Sequence, residues 1–233
     1  MSLITIVPNQ IWYAQQPLKV GPFAITSRMT VVRLQSGKLW IHSPIAPTPA
    51  IIVALDKLGS VQFVVAPNKV HHLYFLPFMQ AFPYATGTIA SGLKRKRPDL
   101  ESYKTIEDAG IELTGSPSWT AELQAIFIEG IPTLQETAWF HQSSGTLILT
   151  DLLACFGSNN TGVNRLVARL LGVYENLTMS RTIRLLVKDQ SALTRSVKLL
   201  LALDVQCIVV SHDQIIEVDA KQKLEQAFKW LNF

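Results

Sequence analysis

Five histidines occur in the 233 residues: His42, His71, His72, His141 and His212. Four of them follow runs of β-branched or aliphatic residues. His42 closes LWIH, His71-His72 come soon after VQFVV, and His212 closes CIVVSH; Asp151 closes TLILT in the same way. Imidazole nitrogens and carboxylate oxygens are the usual nitrogen and oxygen ligands of zinc or iron. Polar groups at the strand ends of an α/β protein tend to line one shared cleft. A lone histidine is far more often a core or surface residue, so the information lies in the repetition at strand ends. His141 is set apart. It lies ten residues before Asp151 on the other arm of a hairpin, and at ~3.3 Å per residue it falls well away from that strand end, which makes it structural or exposed. Cys155 has no base paired with it in sequence and reads as a small buried hydrophobe. Ser43 and Ser211 adjoin the candidate residues, but no G-x-S-x-G elbow activates either. No G-x-G-x-x-G or Walker motif supports a nucleotide cofactor.

The elements that must position these residues follow from hydrophobic period and turn chemistry. Strands are expected at 4–7, 11–13, 29–34 and 39–42, the last two joined by the Gln35-Ser36-Gly37-Lys38 loop. Thr48 as N-cap with Pro49 behind it predicts a helix over 49–58 that Gly59 stops. A buried strand at 61–65 delivers the chain into Ala66-Pro67-Asn68-Lys69-Val70-His71-His72, and an aromatic helix comes next over 73–82. Strands are expected at 86–90, 126–129, 137–141 and 146–150, with a turn at 142–145. Gly110, Gly115 and Pro117 suggest loops in 98–124. The last third reads as a helix over 164–171 with Leu166, Val167, Leu170 and Leu171 on one stripe. It continues with a helix capped by Asp189, the strand Cys207–Val210, and a final helix capped by Asp219. No linker or tandem repeat interrupts the chain, so residues 1–233 read as a single mixed α/β domain.

Composition narrows the classes. Hydrophobic residues make up 48% and charged residues 16%, which excludes a disordered chain. No apolar run reaches the ~18 residues of a membrane span, no signal peptide is visible at the start, and two cysteines, Cys155 and Cys207, do not make a disulfide framework. A reduced, cytoplasmic protein with no membrane partner is expected. The net charge of +4 is concentrated in Lys94-Arg95-Lys96-Arg97. Without interleaved aromatic residues this run reads as a solvated loop rather than a nucleic-acid site.

Taken in order, strand, HH, strand, TD, strand, SH resembles the metallo-β-lactamase superfamily. The segments RMTVVRLQSGKLWIHSP, APNKVHHLYF and FHQSSGTLILTDLLACF resemble, more closely, a bacterial member family of unknown function. The resemblance runs from about Pro8 to Leu231. It implies a four-layer αβ/βα sandwich of two mixed β-sheets flanked by helices. The superfamily's His-x-His-x-Asp-His motif falls on residues 67–72, its bridging Asp on Asp151, its last His on His212, and an early strand-closing Asp on His42. The motif is degenerate: Pro67 and Lys69 replace the first two histidines, His71 replaces the aspartate, and the third ligand of the first site falls near Glu136. A two-metal centre is therefore not expected. What remains is His71, His72, Asp151 and His212, enough for one Zn²⁺ or Fe²⁺, with His42 behind them and Lys69 as a fixed positive charge near Asp151.

Two functions stay open on this reading. One is a single-metal hydrolase in which His71 accepts a proton or binds the ion, and Lys69 stabilises developing negative charge. The other is a non-catalytic module that uses the same cleft for an anionic small molecule. Substrate, metal and oligomeric state are not legible.

Overall fold

Alternating apolar runs and turn signals become alternating strands and helices over residues 2–20, 23–112 and 119–232, which the structure, a computed structural model, describes. Gly115 and Pro117 lie outside the described residues. Contacts along the chain group into two units: Met1–Gln16 with Ser27–Glu122, and Pro17–Thr26 with Leu123–Phe233.

A mixed seven-stranded sheet runs in sequence order through β1 (Ile4–Val7), β2 (Ile11–Val20), β3 (Phe23–Arg33), β4 (Leu39–His42), β5 (Val61–Ala66), β6 (Thr86–Ile89) and β7 (Lys104–Thr105). β3 and β4 pair antiparallel across the expected hairpin, whereas β4, β5, β6 and β7 are parallel. Their crossovers carry α1 (Pro49–Asp56), α2 (Phe75–Ala81) and α3 (Leu93–Lys96), and α4 (Ile106–Glu112) follows β7. Period-two alternation puts Met29 and Val31, Leu39 and Ile41, and Val64 and Ala66 into one core with Ile51, Leu55, Phe75 and Phe78. α1 begins as its sequence requires, with Pro49 in the first turn and Thr48 Oγ1 accepting from the Ile51 N–H at 3.4 Å. Beyond the end of α1, Gly59 approaches the Gly37 carbonyl oxygen so closely that a Cβ there would collide with it.

The second unit holds a mixed five-stranded sheet in the order β12-β11-β10-β9-β8. Its strands are β8 (Leu123–Phe127), β9 (Thr137–His141), β10 (Thr146–Ile148), β11 (Cys207–Val209) and β12 (Ile215–Ile216). The helices are α5 (Gly162–Leu171), α6 (Arg181–Leu185), α7 (Gln190–Leu201) and α8 (Ala220–Ala227). Leu193, Val197 and Leu200 of α7 are fully buried and pack in one core with Leu147, Ile208, Leu224 and Phe228. Asp189 caps α7, its Oδ1 accepting from the Ala192 N–H at 2.9 Å.

Several expectations are corrected. The 94–97 run is not a loop: Leu93–Lys96 form a helical turn anchored by the buried Leu93. Gly110 lies inside α4. α6, capped by Ser180, had no apolar period long enough to announce it. Asp219 sits at the start of α8 with φ of 54° and makes no side-chain cap bond. The stripe on α5 forms, but it does not enter the core: Leu166 and Leu170 are each 59% exposed and only Ala168 is buried. Trp12, Trp40, Trp119 and Trp139 are buried, as a core role requires.

Candidate metal centre

In the first unit, parallel pairing sets His42 opposite Val65, and the Ser43 N–H donates to the Val65 carbonyl at 3.0 Å. The residues after β4 and after β5 therefore leave the same edge of the sheet. Pro67, which cannot donate, ends the β5 ladder, and the buried Asn68 shapes the turn after it. Its Oδ1 accepts from the N–H groups of Val70 at 2.8 Å and His71 at 2.7 Å, an Asx turn that fixes the His71 backbone. His71 Nδ1 lies 2.8 Å from Ser43 Oγ. His42 is 1% exposed and stacks on the Trp40 ring, with centroids 5.5 Å apart. Among the described residues its Nε2 has no hydrogen-bond partner. Burial first, then the neighbouring His71, lowers the His42 pKa to about 3, so this ring is neutral.

His72 is held differently. Its Nδ1 lies 3.0 Å from Arg97 Nη1; a guanidinium only donates, so Nδ1 accepts and the neutral ring carries its proton on Nε2. Asp99 fixes Arg97 through bonds of 2.8 and 2.5 Å, and Lys96 Nζ donates to the Lys69 carbonyl at 2.7 Å. Burial, then Lys96 and Arg97, lowers the His72 pKa to about 4. Half of the basic run is thus folded onto the loop that bears Lys69 and His72.

In the second unit the register of two parallel strands does the positioning. Thr146, Leu147 and Ile148 pair with Cys207, Ile208 and Val209. Three residues beyond each strand, the same offset sets Asp151 beside His212. His212 Nδ1 lies 2.7 Å from the Thr26 carbonyl oxygen, which can only accept, so Nδ1 carries the proton. Nε2 then turns its lone pair toward Asp151 Oδ1, 3.3 Å away. Two acceptors face each other, a geometry that calls for positive charge between them, either a second ring proton or a metal ion. Metal–ligand bonds of about 2.0–2.1 Å at a tetrahedral angle separate their donor atoms by about 3.3 Å, so this donor pair fits a zinc-like ion. A histidine whose outer nitrogen donates to a carbonyl is also the usual form of a metal-bound imidazole.

Glu136 supports this pair from below. It is 2% exposed, and its carboxylate accepts from the backbone N–H groups of Thr150 at 2.7 Å, Asp151 at 2.8 Å and Leu152 at 3.0 Å. Burial and then the Asp151 carboxylate push its pKa up, while the N–H donors oppose the rise. Asp151 and His212 line a cavity of about 500 Å³ within this unit.

The model of a family described as Domain of unknown function (DUF4336) matches residues 8–93. No curated protein matches the sequence. The metallo-β-lactamase FIM-1 from Pseudomonas aeruginosa, solved in its mono-zinc form, is similar at 12% identity, covering 100% of this chain and 96% of its own, with a TM-score of 0.66. A metallo-β-lactamase from Pontibacter korlensis is similar at 10% identity over 99% and 98% of the two chains, with a TM-score of 0.63. DIM-1 metallo-β-lactamase gives 12%, 98% and 96%, and 0.65. This chain has the metallo-β-lactamase fold.

Within the metallo-β-lactamase fold, the sequence-predicted residues divide by partner. Asp151 and His212 are neighbours, His42 and His71 interact, and His72 turns to Arg97. His141 is structural as expected, buried at the far end of β9 with Nδ1 2.7 Å from Ser144 Oγ. Cys155 is buried, and burial first and then Asp213 push its thiol up to about 11, in keeping with a small buried hydrophobe. Sequence reasoning missed the roles of Glu136, Ser43, Asn68, Arg97 and Thr26. For Glu136 a signal existed: His141 pairs with Thr146, so five residues back meets five residues on, at Asp151.

Proposed function

We propose that this metallo-β-lactamase-fold protein is a hydrolase that works with one divalent ion, zinc or iron, its two units acting as one domain over 1–233. Asp151 and His212 hold the ion, and the sequence resemblance adds His71 as a further ligand. The observation that carries this reading is His212, whose Nδ1 is committed to the Thr26 carbonyl while Nε2 faces the Asp151 carboxylate. A metal ion at such a site supplies Lewis acidity, polarising a carbonyl or phosphoryl oxygen and acidifying water. The chain's own groups do the rest. Thr26 fixes the His212 tautomer, and Glu136 fixes the Asp151 backbone. Ser43 sets the His71 ring, and the Lys69 ammonium stabilises negative charge developing on the substrate oxygen. His42 backs His71 as a neutral ring. His72 was expected as a fourth ligand; held by Arg97, its Nε2–H serves as a donor toward the substrate.

A second reading has its own observation. Lys96 and Arg97 fold onto the loop bearing Lys69 and His72, which gathers cations suited to an anionic small molecule without catalysis. No helix among the described residues is long and apolar enough to cross a membrane, and two buried cysteines not joined in a disulfide agree with a cytoplasmic setting. The test is a panel of p-nitrophenyl esters, lactones and phosphodiesters, assayed on chelator-treated protein and again after zinc or iron is restored. Hydrolysis that returns with metal supports the hydrolase. No turnover with bound metal, together with a Tm raised by inorganic phosphate, supports the binding module instead.

A further inference from the structure

Helix α5 departs from the pattern of the other helices. Val163, Leu166, Val167 and Leu170 recur at helical spacing in GVNRLVARLL, yet Val163, Leu166 and Leu170 are 56%, 59% and 59% exposed. Part of this stripe lines the cavity of about 500 Å³: Val167 and Leu170 form one wall, with Phe156, Val173 and Ile183 among the other lining residues. Every residue of that lining belongs to the second unit. Asp151 and His212 line the same cavity, with Asn164, Ser180 and Thr182 as its other polar residues. Its volume falls within the ~300–1,000 Å³ of small-molecule sites and its lining has their composition, apolar walls with few polar groups. It is too small for a helix or a strand of a partner protein.

We propose that this cavity receives the unbranched apolar chain of a small amphiphilic substrate, whose polar head meets Asp151 and His212. The role of the head rests on the metal-centre reading above; the chain site rests on the cavity itself. Asp151 and His212 are the ionisable residues of the lining and most of the others are aliphatic or aromatic, so the polar head of an amphiphile goes to that pair. Each methylene taken from water contributes about 0.8 kcal/mol, close to a fourfold gain in affinity.

The test uses neutral n-alkanols from butanol to decanol, titrated calorimetrically into the full chain with and without bound zinc. Affinity should rise about fourfold per methylene in both forms until the cavity is full. Leu170→Asp places a carboxylate in the lining at an exposed position and should abolish the rise. Leu166→Asp, equally exposed but outside the lining, should keep it. Affinity independent of chain length, or a rise that survives Leu170→Asp, would overturn the inference. A rise in protein that takes up no zinc even when zinc is supplied would leave the chain site standing and remove the metal reading alone.

Discussion

At the scale of single residues, His42 shows how burial sets chemistry. A neutral imidazole with a pKa of about 3 refuses the proton that the unfolded chain takes up below about pH 6.5. The unfolded state then binds more protons, so stability is present above that pH and falls as pH drops from about 6.5 toward 3. This ring alone should cost about 2 kcal/mol between pH 7 and pH 5, read from urea midpoints; His72 and His141 shift the same way. His42→Phe should lose about 2 kcal/mol less over that interval, and an unchanged pH slope would disprove the assignment. Glu136 makes a second prediction. Gln in its place offers one acceptor oxygen to three N–H groups, so unfolding should become about 1–3 kcal/mol easier. Zinc affinity should fall about 10–100-fold, measured by competition with a chromogenic chelator. The ligand-type residues were legible because strand-end histidines and Asp151 stand out in an apolar chain. Their orienting partners were not, since Thr26 acts through a backbone oxygen and Arg97 lies 25 residues from His72.

At the scale of elements, two helices with similar apolar patterns differ in what they face. Leu200 of α7 is fully buried and Leu166 of α5 is 59% exposed. Leu200→Ala should therefore cost about 2–5 kcal/mol, whereas Leu166→Ala should stay within about 0.5 kcal/mol, both by denaturant unfolding. Periodicity gave both helices, but it cannot say what an apolar stripe packs against. The same limit explains the basic run. Its charge was visible, while the helical turn depends on Leu93 reaching the core. Pairing register was the more informative signal, since the β10–β11 offset accounts for Asp151 and His212 and the β9–β10 offset for Glu136. Asp189, a cap visible in sequence, should cost about 1 kcal/mol on replacement by Ala.

At the scale of the whole molecule, the fold is shared with metallo-β-lactamases over nearly the full chain at 12% identity or less. An α/β pattern survives such divergence because it needs apolar residues at the right period, not particular side chains. Pro67 and Lys69 stand where the motif that the sequence resembles has its first two histidines, and Glu136 holds the backbone of residues 150–152. The proposed function requires a cation between His212 Nε2 and Asp151 Oδ1. Metal analysis of untagged protein purified without chelators, beside Asp151→Ala and His212→Ala, tests it most directly. About one zinc or iron per chain in the parent, lost in both variants while their unfolding stays cooperative, is the predicted result. A parent that takes up no metal even when supplied with both ions, or variants that keep it, would contradict the account.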